Sequence, residues 1–222
     1  MTIAAAVNVC FHGIGTPGRQ LEVGEEHYWI SPRLYDEILD EVGGHPEVHL
    51  SFDDGNRSDV DVALEGLLSR GMTATFFALA GRLDNPGSLN ADDLRALRQH
   101  GMTIGTHGMR HRPWRGMDEQ TQRLELVEAR EILAEASDGP VDEAALPLGR
   151  YDRKVLGALR SQGYQAVYTS DRRPARRGAW IQPRYSVRAG DTIEAVRSTV
   201  LRPPSILRRA KAEAVGVIKR LR

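Results

Sequence analysis

The sequence has 222 residues and a single cysteine, Cys10. One cysteine excludes an internal disulfide framework and a cysteine-based zinc site, and it agrees with a reducing compartment. No apolar run reaches the roughly 18 residues that a membrane-spanning helix needs. The first eleven residues contain no Lys or Arg, so we expect no secretory signal. These absences predict a cytoplasmic protein that is soluble or attached to the inner face of a membrane.

The sequence also has no excess of charge of either sign, because 30 Lys and Arg balance 30 Asp and Glu. A net charge of zero gives no general reason to expect nucleic acid as a partner. The distribution is nevertheless uneven. Residues 202–222 contain seven basic residues and one acidic residue, a net charge of +6.

This basic tail predicts a division of the chain into a domain at 1–202 and a C-terminal helix at 203–222. Apolar residues in the tail recur at steps of three and four, as in a basic amphipathic helix. Two interpretations stay open. The helix docks on the domain with its Lys and Arg side chains reaching into solvent, or it contacts an anionic membrane surface.

Short β-rich runs alternate with helical patterns through the first 202 residues, which predicts βα units and a mostly parallel sheet. Counting the runs gives about seven such units, with no internal repeat and no low-complexity segment. The pattern is compatible with a barrel and with an open doubly wound sheet.

Polar residues follow two of the β-rich runs. Asp53 and Asp54 follow one run, and His107 and His111 follow another. Parallel strands place such residues on one rim. One carboxylate and two histidines hold a divalent cation such as Zn²⁺ or Co²⁺ with positions left open, while the second carboxylate stays free as a base. Each signal alone is typical of a turn or of surface histidines, but their combination favours a hydrolytic site.

These residues resemble motifs of the polysaccharide deacetylases, the NodB homology domain of carbohydrate esterase family 4. Residues 51–55 resemble the first motif, residues 107–111 the second, and residues 147–152 part of the third. The resemblance covers about residues 48–201. It implies a distorted (β/α)₇ barrel and metal-dependent hydrolysis of an N-acetyl or O-acetyl group on a sugar.

The resemblance also implies roles for individual residues. Asp53 matches the catalytic base, Asp54 the metal carboxylate, and His107 and His111 the metal histidines. The candidates for substrate contact are Pro147, Gly149 and Tyr151 of the third-motif segment. From its aromatic ring alone, Trp114 either lines a sugar-binding face or packs in the core.

The sequence departs from the family pattern at two places. The arginine that begins the third motif is missing near Ala145, and Arg184 at the end of a later strand is the candidate replacement. No histidine follows His111, so the family's usual general acid is missing and His12 is the candidate substitute. Asp171 either orients a catalytic group or forms a solvated ion pair with the arginines beside it.

Three functions stay open at this point. The first is a metal-dependent deacetylase of an acetylated carbohydrate in bacterial envelope or exopolysaccharide metabolism. The second is a hydrolase of non-peptide C–N bonds in cyclic amides, which the intact Asp54, His107 and His111 disfavour. The third is a carbohydrate-binding module without turnover, which the two departures favour.

Overall fold

Parallel strands enclose the centre of the fold in the computed structural model, which describes residues 5–201. The strands in chain order are β1 (Ala5–Phe11), β2 (Gly13–Ile14), β3 (Trp29–Ile30), β4 (Val48–Asp54), β5 (Ala74–Ala78), β6 (Thr103–Thr106), β7 (Glu143–Ala145), β8 (Ala166–Thr169), β9 (Ala175–Arg176) and β10 (Ile181–Ser186). Seven of them, in the order β1, β4, β5, β6, β7, β8 and β10, run parallel, and β10 pairs back with β1. The predicted distorted (β/α)₇ barrel is therefore confirmed, and the open sheet is excluded.

Helices connect these strands on the outside of the barrel. They are α1 (Pro32–Val42), α2 (Leu64–Leu68), α3 (Ala91–Gln99), α4 (Glu119–Arg123), α5 (Ala129–Ala136), α6 (Arg153–Ser161) and α7 (Ile193–Val196). Single π-type turns precede α2, join α4 to α5 and extend α7 to Leu201. The helix starts follow the sequence closely because capping is local: Asn90 and Asp93 form a capping box at α3, and Asp118 caps α4.

Alternation along β4 separates an apolar layer from a polar barrel interior. Leu50 and Phe52 belong to the core cluster that lies between the sheet and the helices. Ser51 and Asp53, one residue further in each case, accept hydrogen bonds from the buried Arg184 of β10. Because successive strand residues face opposite sides, the same strand supplies the core and the polar centre of the barrel.

Two short additions were not predicted. β2 and β3 pair with each other and bracket the loop of residues 15–28, and β9 adds antiparallel to β1. No helix within residues 5–201 is long and apolar enough to cross a membrane. The predicted C-terminal helix at 203–222 lies outside the described residues, so the domain division stays a prediction.

Candidate active site

The two acidic residues at the end of β4 lie side by side and are both buried, Asp53 with 3% and Asp54 with 1% of its surface exposed. Regular alternation would direct neighbouring side chains to opposite faces. The backbone of Asp54 adopts φ 78°, a left-handed conformation that is uncommon for a residue with a side chain. This turn ends the alternation and lets both carboxylates face the rim of the barrel.

The two histidines lie in the loop that follows β6, and their hydrogen bonds define their tautomers. Nδ1 of His107 lies 3.0 Å from the carbonyl oxygen of Ala145, and Nδ1 of His111 lies 2.7 Å from Oε2 of Glu22. A carbonyl and a carboxylate only accept, so Nδ1 is the donor in each histidine. In the neutral imidazole Nε2 therefore carries the lone pair, and the two Nε2 atoms lie 3.6 and 3.5 Å from Oδ1 of Asp54.

The surroundings of Asp54 fit a divalent cation. Neither of its buried carboxylate oxygens accepts a hydrogen bond from the described residues. A buried carboxylate that faces two nitrogen lone pairs needs a positive partner. Donor atoms of Asp54, His107 and His111 all lie within 4.8 Å of one another. Two imidazole nitrogens and one carboxylate suit Zn²⁺, Co²⁺ or a similar ion with open positions.

Burial has a further effect on His107. It lowers the pKa of this side chain to about 4, against which the neighbouring carboxylates act only in part. The imidazole is therefore neutral at neutral pH, which is the form that binds a metal ion.

Asp53 is held by Arg184 rather than by the metal donors. Nη1 and Nη2 of Arg184 lie 2.7 and 2.6 Å from the two oxygens of Asp53. Burial raises the pKa of the Asp53 carboxyl, but the Arg184 guanidinium outweighs this effect and keeps the pKa well below its usual range. Arg184 of β10 thus contacts the Asp53 carboxylate at two points. Its role as the replacement for the arginine missing near Ala145 stays a prediction.

His12 follows β1 and lies at the same rim. It borders a cavity of about 310 Å³ above the acidic and histidine residues. Its ring packs 4.8 Å from the ring of Tyr28, and its donor atom lies within 4.8 Å of one on Asp53. Further residues around this cavity are Glu22, Val23, Leu146, Leu148, Arg150 and Ser170.

The prediction that Trp114 lines a sugar-binding face is wrong. Its side chain is fully buried, belongs to the second core cluster and donates from Nε1 to Glu125 at 3.3 Å. The same carboxylate accepts from the backbone N–H of Met109 at 2.7 Å. Trp114 and Glu125 therefore support the loop of the two histidines from beneath and do not contact substrate.

The third-motif segment borders the cavity through residues other than those predicted. Pro147, Gly149 and Tyr151 are buried, whereas Leu148 is 54% exposed and lies at the cavity with φ 55°. Leu148 and Arg150 therefore represent this segment at the cavity, and the substrate contacts of Pro147, Gly149 and Tyr151 stay a prediction.

Asp171 follows β8 and contacts the third-motif segment. Its carboxylate accepts hydrogen bonds from the hydroxyl groups of Tyr151 at 2.7 Å and of Thr169 at 2.8 Å. These contacts anchor the third-motif segment to the end of β8. The role of Asp171 in orienting a catalytic group stays a prediction.

Sequence reasoning missed Glu22, which contacts His111 across 89 positions of sequence. No motif surrounds Glu22 in its loop, so only the packed structure reveals it. Leu148 could have been found from the sequence, because it lies inside the segment that resembles the third motif.

Comparison with known proteins identifies the family of this chain. The sequence profile of the family described as polysaccharide deacetylase matches residues 40–167, more than half of the chain. YxkH of Bacillus subtilis (strain 168), whose name places it in the same family, is 26% identical over 141 residues. That match covers 64% of this chain and 50% of YxkH, so the chain spans about half the length of this curated relative.

Solved structures show the same fold. The deacetylase PplD of Streptococcus pyogenes superposes with a TM-score of 0.77 at 19% identity, over 90% of this chain and 99% of PplD. IcaB of Ammonifex degensii superposes with a TM-score of 0.71 at 21% identity, over 88% and 96% of the two chains. The resemblance in the sequence motifs is confirmed, and the chain belongs to the polysaccharide deacetylase family of hydrolases.

Proposed function

We propose that the protein hydrolyses N-acetyl or O-acetyl groups on a sugar or polysaccharide, and that it needs a divalent metal ion to do so. The observation that carries this proposal is the buried Asp54 carboxylate, which faces the Nε2 atoms of His107 and His111 and has no hydrogen-bond donor of its own among residues 5–201. Held by these three residues, a divalent cation supplies Lewis acidity and lowers the pKa of water.

Asp53 is the base in this proposal. The low pKa imposed by Arg184 keeps its carboxylate ionised at neutral pH. Each carboxylate oxygen has a second lone pair beyond the one used by Arg184, so Asp53 still accepts a proton from the attacking water. The two-point contact with Arg184 holds the carboxylate in one orientation, which favours proton transfer.

His12 is the acid in this proposal. It borders the same cavity as Asp53 and is partly accessible to solvent. Breaking an amide requires a proton on the departing amine, and His12 is the remaining histidine at the cavity that holds no place in the metal set. Val23 and Leu148 give the cavity mouth an apolar border against which a sugar ring packs.

The test measures acetate and ammonia released from an N-acetylated glucosamine oligomer and from an O-acetylated sugar. We expect acetate without ammonia, loss of the activity after chelation, and recovery with Zn²⁺ or Co²⁺. The His107→Ala/His111→Ala variant, purified in the same way, serves as the metal-free control.

The other outcomes identify the alternatives. A ring-opened acid formed from a cyclic amide indicates the C–N hydrolase, and glycan binding without turnover indicates a binding module. The assignments to bacterial envelope or exopolysaccharide metabolism, to the cytoplasm and to a membrane surface stay predictions.

A further inference from the structure

The loop between β2 and β3 reaches over the rim of the barrel and contacts one of the proposed metal ligands. Oε2 of Glu22 in this loop lies 2.7 Å from Nδ1 of His111, and the side chain of His111 is only 9% exposed. A charged partner at this distance makes a hydrogen bond of the strong class. The contact therefore sets both the tautomer and the orientation of the imidazole.

Glu22 is itself fixed from a second direction. Its other oxygen, Oε1, accepts a hydrogen bond from Nη2 of Arg82, which follows β5. The two oxygens of one carboxylate are thus shared between Arg82 and His111. Since both oxygens of the carboxylate have a partner, the Glu22 side chain is held in place before any metal ion binds.

The loop backbone around Glu22 is also anchored to the barrel. The N–H of Glu22 donates to Oε2 of Glu25 at 2.8 Å, and Glu25 is buried in an ion pair with Arg19. Nη2 of Arg19 donates in turn to Oδ1 of Asn56 at 2.8 Å. Asn56 lies two positions after Asp54, so a continuous network joins the loop to the strand end that carries the metal carboxylate.

The two histidines differ in the group that accepts a hydrogen bond from Nδ1. Nδ1 of His107 is bonded to the neutral backbone carbonyl of Ala145, which no substitution of a side chain removes. Nδ1 of His111 depends on a side chain from a remote loop, and the backbone of His111 has φ 50°. A negative carboxylate behind an imidazole increases the basicity of the opposite nitrogen and strengthens its bond to a metal ion.

We therefore propose that Glu22 is the positioning residue that makes His111 an effective metal ligand, and that it couples the loop of residues 15–28 to the metal centre. This inference rests on the metal-dependent function proposed above. It assigns no chemical step to Glu22, which acts through His111.

The experiment measures Zn²⁺ affinity by competition with a chromophoric chelator, without substrate. We expect Glu22→Ala to weaken Zn²⁺ binding about 10- to 100-fold, the usual effect of removing such a partner. Glu22→Gln should weaken it less, because an amide oxygen still accepts from Nδ1. Glu26→Ala is the matched control, since Glu26 lies in the same loop and pairs with the exposed His27. The control should leave the affinity unchanged.

A second readout and a second variant keep the test decisive. The visible absorption of the Co²⁺-loaded protein should change in Glu22→Ala and stay unchanged in Glu26→Ala, because ligand geometry sets this spectrum. Arg82→Gln retains Glu22 and His111 but removes the second anchor, so it should weaken Zn²⁺ binding by a smaller factor even where Glu22→Ala fails to fold.

Equal Zn²⁺ affinity in the unmodified protein, Glu22→Ala and Arg82→Gln overturns the positioning role. If His107→Ala/His111→Ala then loses Zn²⁺ binding while these three proteins keep it, the proposed metal centre is supported and only the role of Glu22 is overturned. If the unmodified protein binds no Zn²⁺, the proposed function and this inference fall together.

Discussion

Arg184 and Asp53 are joined by two parallel hydrogen bonds of 2.7 and 2.6 Å, although 131 positions of sequence separate them. The guanidinium has no exposed surface and also donates to Ser51 at 3.1 Å. Such a buried pair costs desolvation to form, but each member strongly depends on the other once it is formed. The contact thereby links the proposed base on β4 to the closing strand β10.

Asp53→Asn removes the negative charge that accepts a proton in the proposed reaction. We expect kcat for acetate release to fall about 100- to 10,000-fold, the usual contribution of a general base. Zn²⁺ should still bind, because the residues of the metal set are unchanged. Full activity of the variant, measured alongside its metal content, would contradict the assignment of Asp53.

Arg184→Met leaves the Asp53 carboxylate buried without its partner. We expect the free energy of unfolding to fall by about 3–5 kcal/mol, measured by urea denaturation. The free energy of unfolding of Arg184→Lys should lie between those of the unmodified protein and Arg184→Met, because an ammonium group cannot reproduce the two parallel bonds.

The double variant Arg184→Met/Asp53→Asn is the control for this pair. It should be less destabilised than the sum of the single variants, since neither charge is then left alone. Additive effects would show that the two residues stabilise the fold independently.

The metal-free protein should lose stability as the pH falls through the range set by His107. Burial lowers the pKa of His107 to about 4 in the folded protein, against about 6.5 in an unfolded chain. Between these values the unfolded chain binds a proton that the folded protein does not, so the free energy of unfolding falls by up to about 3 kcal/mol from pH 6.5 to pH 4.

Urea denaturation of the chelator-treated protein at pH 7.5 and pH 5 measures this loss. His107→Gln should show a flatter dependence on pH over that range. Asp53, whose pKa lies below its usual range, adds its own loss only at still lower pH. An equally steep dependence in His107→Gln would mean that other groups cause it.

His12→Gln should affect substrates according to their leaving groups. An amine departs only after protonation, so hydrolysis of an N-acetyl sugar should slow by about 100-fold or more. The aryl oxide of an activated aryl acetate leaves without a proton. This ester should therefore be hydrolysed at nearly the original rate. Equal losses for both substrates, or no loss for the amide, would exclude His12 as the acid.

Trp114→Ala and Leu148→Ala should change different properties: the first the free energy of unfolding, the second KM. The buried indole supports the core, so Trp114→Ala should lower the free energy of unfolding by about 3–5 kcal/mol and leave KM unchanged in the folded protein. Leu148 is more than half exposed at the cavity, so its replacement should raise KM with little loss of stability. Thermal unfolding and KM measured on both variants separate the two roles, and a raised KM with unchanged thermal stability in Trp114→Ala would contradict its role in the core.

Much of the fold follows from local sequence. The β-rich run Ala166–Thr169 forms β8, and Asn90 and Asp118, residue types typical of an N-cap, begin the helices that follow them. Caps, turns and apolar periodicity act over a few residues, so they can be interpreted without the rest of the chain. For the same reason, the motif residues at the end of β4 and after β6 can be recognised in the sequence.

The completed site required the tertiary structure. Asp53 and Arg184 meet because the barrel closes with Asn8 of β1 opposite Arg184 of β10, a register that no local pattern specifies. Glu22 reaches His111 only after the loop is folded over the rim, and Trp114 is withdrawn from the cavity because its loop turns inward onto Glu125. The sequence by itself determined the seven strands of the barrel, most of its helices and the residue types available for chemistry. The structure decided which distant side chains share a buried space, since that depends on barrel closure and loop packing rather than on neighbouring residues.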